Sequence, residues 1–152
     1  MYYYILHITS CKRYANTDSD YLDRSLQLLL YRESVLDGTE DEYSIMNQAI
    51  EVVHFYLDAI RGDHILQAVI GSFFYEGKRV KQDYKEAFCW CLKAAEYGIG
   101  MDESQYLIGR MYELGQGVKR NHAMAIEWYL KAAAQENILA MARLTTLFGK
   151  SK

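Results

Sequence analysis

The chain has 152 residues, 51% of them apolar, with no proline and a formal charge of −3. That length makes one domain with a sizeable core, and the lack of proline leaves every helix interior with its full set of backbone donors. The charge is unevenly split, 5 Lys/Arg against 10 Asp/Glu over residues 1–62 and 12 against 10 over residues 63–152, which excludes a nucleic-acid footprint spread over the whole domain.

Residues 2–9 are aromatic and β-branched and read equally as a short strand or the first turns of a helix. The start, Met1 to Ile8, has no basic n-region, and its apolar run is too short for a signal peptide or a membrane span. The three cysteines, Cys11, Cys89 and Cys91, are too few for a disulfide framework. A soluble, cytoplasmic protein with free thiols is the expectation. After the polar break at residues 16–20, Leu22, Leu26, Leu29 and Leu30 recur at helical spacing, an amphipathic helix over 21–35. The turn Asp37-Gly38-Thr39 stops it. The acidic run Glu40-Asp41-Glu42 suits the positive end of a following helix, predicted over 43–60.

From there the chain repeats itself. Residues 67–95 align without a gap on residues 105–133, a constant offset of 38, with 12 identities in 29 positions. They include Gln67/Gln105, Gly71/Gly109, Gly77/Gly115, Val80/Val118, Trp90/Trp128 and the paired alanines 94–95 and 132–133. A period of this size marks a repeat architecture. Each copy reads as a helix pair. Helix A runs over 65–75 and again over 103–114, each stopped by a glycine. Helix B runs over 84–97 and over 122–135, with Asp83 and Asn121 as N-caps. Residues 140–148 read as a third helix A without a partner, which suits the end of a stack. A mid-helix glycine costs about 1 kcal/mol relative to alanine, so Gly71 and Gly109 point to close approach of the paired helix.

The segment Gln105-Tyr-Leu-Ile-Gly-Arg-Met-Tyr-Glu-Leu-Gly-Gln-Gly-Val-Lys119, followed by Ala125-Ile-Glu-Trp-Tyr-Leu-Lys-Ala-Ala133, resembles the Sel-one-like repeat, a relative of the tetratricopeptide repeat. The first copy departs from the pattern at Arg79, where a glycine is usual, and at Cys91, where a tyrosine is. The resemblance implies an all-α fold, a short right-handed α-solenoid of antiparallel helix pairs. It divides a single repeat domain, 1–152, into N-terminal helices with a degenerate repeat (1–63), two full repeats (65–100 and 103–137) and a capping helix (138–148). Secreted members of the family bridge their helices with disulfides, for which this sequence offers no paired cysteines.

Catalytic chemistry finds little footing. Cys89 and Cys91 lie two apart on a helix and point about 200° away from each other, so they cannot share one ion. His7, His54, His64 and His122 have no ligand spacing, and His54 with Asp58 reads as a surface pair. Gly149-Lys150-Ser151 lacks the strand and glycines of a phosphate loop, and no serine has a lysine three residues on. No cofactor or metal is expected.

The resemblance implies instead a protein-binding module whose helices A line a concave groove. On that geometry the partner-binding residues are Val69, Ser72, Phe73 and Glu76 in the first copy, Leu107, Arg110, Met111 and Leu114 in the second, and Arg143 and Thr146 in the terminal helix. The expected partner is another protein, with neither nucleic acid nor membrane involved. A bacterial immunity protein neutralising a toxin or effector with a basic surface fits the acidic N-terminal part. A small hydrolase of the cell-wall or β-lactam type, a homo-oligomeric scaffold, and a groove filled by the chain's own N-terminus are the competing readings.

Overall fold

A computed structural model describes residues 42–149, and over them every regular element is a helix. Six follow in order: α1 (Glu42–Ile60), α2 (His64–Glu76), α3 (Tyr84–Glu96), α4 (Asp102–Leu114), α5 (His122–Ala133) and α6 (Ile138–Gly149). Each packs against the next, most extensively within the pairs α2–α3 and α4–α5. This is the expected solenoid of antiparallel pairs. Helix α2 also approaches α4, while α3 and α5 come no comparably close, so the helices A occupy the inner side of the stack. The helix expected over 21–35 and the segment 2–9 lie outside the described residues.

The identities between the copies are the packing solution. A Cβ on Gly71 would lie 2.6 Å from Cys91 Sγ and 3.1 Å from Cys91 N, and one on Gly109 2.7 Å from Tyr129 Cδ1. The glycines thus admit the side chain at one equivalent position of helix B, Cys91 in the first copy and Tyr129 in the second. Gln67 donates to the Ala59 carbonyl at 2.9 Å, and Gln105 to the Gly98 carbonyl at 3.2 Å. The first is a carbonyl in the last turn of α1, where intrahelical donors run out, and the second lies in the turn just past the end of α3. The Lys93 ammonium sits 4.2 Å over Trp90, and that of Lys131 3.9 Å over Trp128.

The turns are duplicated as well. Gly77 and Gly115 close α2 and α4 in the left-handed conformation, with φ of 70° and 73°. Asp83 and Asn121 cap α3 and α5 with their side chains, while their own N–H groups donate back to Phe74 O and Tyr112 O. Where the second copy has Gly117 (φ 70°), the first has Arg79 in the same left-handed conformation (φ 65°). Arg79 is held there by Glu51 of α1, at 2.7 Å, and by the Phe73 ring beneath its guanidinium.

Candidate interaction site

On the inner side, between α4 and α6, lies an open cleft of about 280 Å³ lined by Tyr106, Arg110, Glu113, Leu114, Tyr129 and Arg143. Tyr106, Arg110, Glu113 and Leu114 share one face of α4, because three- and four-residue steps return to the same side of a helix. Tyr129 reaches the cleft floor from α5, through the space that Gly109 leaves.

A buried carboxylate organises the floor. Glu113 is 6% exposed and accepts from Arg143 Nε at 2.9 Å, from Arg143 Nη2, and from Tyr129 Oη at 2.7 Å. The Arg143 hydrogen bonds hold its carboxyl below the usual glutamate range, against the upward push of burial. Burial and the bond to Glu113 raise the Tyr129 hydroxyl in turn. A carboxylate with this many donors stays charged, as a paired buried charge must. Glu113 and Arg143 thus neutralise each other and tie α6 to α4.

Arg110 differs. It is exposed, has no carboxylate partner among the described residues, and rests 5.9 Å over the Tyr75 ring. Burial raises the Tyr75 hydroxyl, and the Arg110 charge lowers it in part. The Tyr75 hydroxyl donates to Gln116 Oε1 at 3.1 Å, which links the Arg110 platform to the turn after α4. Leu114 is 49% exposed beside it. The cleft therefore offers one uncommitted positive charge, an apolar side chain and aromatic walls.

Three of the ten residues expected from the sequence, Arg110, Leu114 and Arg143, meet in this cleft. Two do not reach the surface: Met111 is 0% exposed and Leu107 8%, both within the main core with Ile108 and Tyr129. The reason is rotational. Each helix A is covered on several sides, so the outward strip is 106–110–114, one residue or about 100° away from 107–111, with Glu113 buried at its margin. Phe73, half-buried, packs against the cluster of Tyr56, Ala59, Ile70 and Trp90, and Val69, next to Ile70 in the chain, is half-buried too. The hydroxyls of Ser72 and Thr146 bond back to Ala68 O and Ala142 O in their own helices. Glu76 is exposed but ion-paired with Lys78 at 2.8 Å.

Tyr106, Glu113 and Tyr129 were not among the expected residues. The signal for two of them was available: Glu113 replaces Tyr75 and Tyr129 replaces Cys91 between otherwise matched copies. A difference at a packing position marks a local invention.

The cysteines need one correction. Cys91 is free and wholly buried, its thiol pushed up to about 12 by burial. Cys89 is disulfide-bonded, so the expectation of free thiols throughout fails. The two sulfurs serve separate ends, as their opposed directions required. His54 does not engage Asp58, whose carboxylate is taken by Arg61 at 2.8 Å. Among the described residues no three His, Cys, Asp or Glu side chains gather where a metal could bind. No helix among them is long and apolar enough to cross a membrane.

Known proteins place this geometry. The Sel1 repeat matches residues 67–98 and 102–137. Among solved structures, a Sel1 repeat protein from Oxalobacter formigenes is 32% identical over 66% of this chain, with a TM-score of 0.57. A protective antigen of uropathogenic Escherichia coli displaying an SLR fold is 30% identical over 87% of this chain, with a TM-score of 0.62. This chain spans 40% and 26% of the length of those two proteins. Among curated proteins none matches.

Proposed function

This chain belongs to the Sel1 repeat family, and we propose that it acts as a protein–protein interaction module whose inner side receives a partner at the α4–α6 cleft. The observation that carries the reading is Arg110. It is a charged side chain on an aromatic platform, beside an exposed leucine, in the one strip of α4 that packing leaves open. Such a mixture of an aromatic wall, an arginine and an apolar contact is what interface centres are made of. A solenoid supplies it on a rigid surface, since each pair is fixed by its neighbours.

Capture from the native host tests the reading with the wild type, Arg110→Glu, Leu114→Glu and, on the outer side, Glu127→Lys. The expected result is one partner held by the wild type and Glu127→Lys and lost by the two cleft variants. The same partner retained by all four would remove the cleft from consideration. Toxin neutralisation is one form such binding takes. It would draw on the acidic residues of 1–62, most of which precede the described residues, and an adjacent toxin reading frame in the genome would support it.

A further inference from the structure

The antiparallel pairs sort their turns onto two edges. The turns 77–83 and 115–121 share one edge: the backbone of Gly117 abuts Tyr84 O at the start of α3, where an added Cβ would fall 2.3 Å away. The turns 97–101 and 134–137 share the other, where Gln135 bonds Gly98 O, Gly100 N and Gln105, and Asn137 donates to Asp102. Charge follows this division. The first edge carries Lys78, Arg79, Lys81, Lys119 and Arg120 against Asp83 alone. The second carries Glu136 with no basic residue in those two turns, flanked by Glu96, Asp102 and Glu103; the turn 61–63, brought beside Tyr97 by the stacked His64 ring, adds Asp63 and Arg61, the latter already paired with Asp58.

Ion pairs consume part of the first edge, Lys78 to Glu76 and Arg79 to Glu51. Lys81, Lys119 and Arg120 are exposed and have no carboxylate partner among the described residues. Arg110 lies one turn from the end of α4, joined to this edge through Tyr75 and Gln116. The uncommitted cations thus continue from the cleft onto the edge, while the single carboxylate in the cleft is already neutralised by Arg143.

We infer that the partner segment is acidic, and that it crosses from the Arg110 cleft over the edge formed by turns 77–83 and 115–121. This rests on the interaction-module reading and adds the partner's chemistry. A carboxylate meeting Arg110 gains charge-assisted hydrogen bonds, and the edge cations steer and orient the rest of the segment. The chain's own acidic N-terminal part led to the opposite expectation, a basic partner, which the charge of this face does not favour.

Fluorescence anisotropy tests the inference with a labelled Glu- and Leu-rich peptide, the same peptide with Gln for every Glu, and anionic phosphatidylserine vesicles as a competitor. The Glu peptide should bind, weaken as salt rises, and lose about tenfold or more in affinity with Arg110→Glu and with Lys119→Glu/Arg120→Glu. Glu103→Lys on the opposite edge should leave it unchanged, and circular dichroism should show all variants folded. Equal binding of the Gln peptide, still sensitive to Leu114→Glu, would overturn the acidic partner and leave the cleft standing. No binding of the Glu peptide, indifference to the edge variants, or full displacement by the vesicles would each overturn it too.

Discussion

Arg143 grips Glu113 with two nitrogens, and through that pair α6, which has no paired helix B among the described residues, is fastened to α4. The Arg143 side chain is 43% exposed, whereas that of Glu113 is 8% exposed. Removing the arginine therefore strands a buried carboxylate, while removing both groups does not. Arg143→Ala should cost about 1–3 kcal/mol, less than for a fully buried pair because water screens the exposed partner. Adding Glu113→Gln to it should restore part of the loss. Urea unfolding of the two variants decides the matter; additive losses would mean the pair is not coupled.

The same carboxylate sets an acid limit. Its pKa is lower folded than unfolded, so its stabilisation is fully present above the ordinary glutamate value and fades as pH falls through the folded value. Stability measured downward from neutral pH should drop through that window in the wild type and drop less in Glu113→Gln. Parallel curves for the two proteins would contradict the assignment.

Gly109→Ala and Gly71→Ala set helix propensity against space. Alanine would return about 1 kcal/mol of propensity, yet its Cβ would fall 2.7 Å from the Tyr129 ring or 2.6 Å from Cys91 Sγ. Tyr129 cannot yield freely, because its hydroxyl is bonded to Glu113. Both variants should be net destabilised by about 1–3 kcal/mol, read as lower urea midpoints. A stabilised Gly109→Ala would show that α4 and α5 can part.

Ser104 presents the reverse case. Its hydroxyl is buried, with the residue 1% exposed, and finds no hydrogen-bond partner. The terminal helix places Ala140, 0% exposed, at the corresponding inward position. Ser104→Ala should raise stability by about 1 kcal/mol by sparing the desolvation of an unpaired hydroxyl. A fall in melting temperature would mean that the hydroxyl is paired in solution.

Cys91 should be inert. Its sulfur lies against Gly71, wholly buried, with the thiol raised to about 12, and reactivity requires an accessible thiolate. Iodoacetamide at mildly alkaline pH should leave it unmodified in the folded protein and label it once urea unfolds the chain. Labelling at native rates in buffer would show that α2 and α3 separate readily.

The sequence alone determined the stack. Two copies at one offset, with glycine stops and Asp83 and Asn121 caps, specify helices, turns and pairing, because those are short-range matters of backbone and capping chemistry. The close approach at Gly71 and Gly109 was legible for the same reason: an expensive residue kept twice has a local steric cause. The outward strip of each helix was not legible. Met111 and Arg110 are neighbours in sequence, and a rotation of about 100° decides which is core and which is surface. That rotation is set by how α2, α3 and α5 together press on α4, a property of no single helix. Glu113 shows it most clearly. In the sequence it is one more charged residue in an amphipathic helix, and only the meeting of α4, α5 and α6 supplies the arginine and tyrosine that let it be buried. Where the turns gather their charge was likewise a matter of assembly, since residues 78–81 and 119–120 share an edge only once the pairs have stacked.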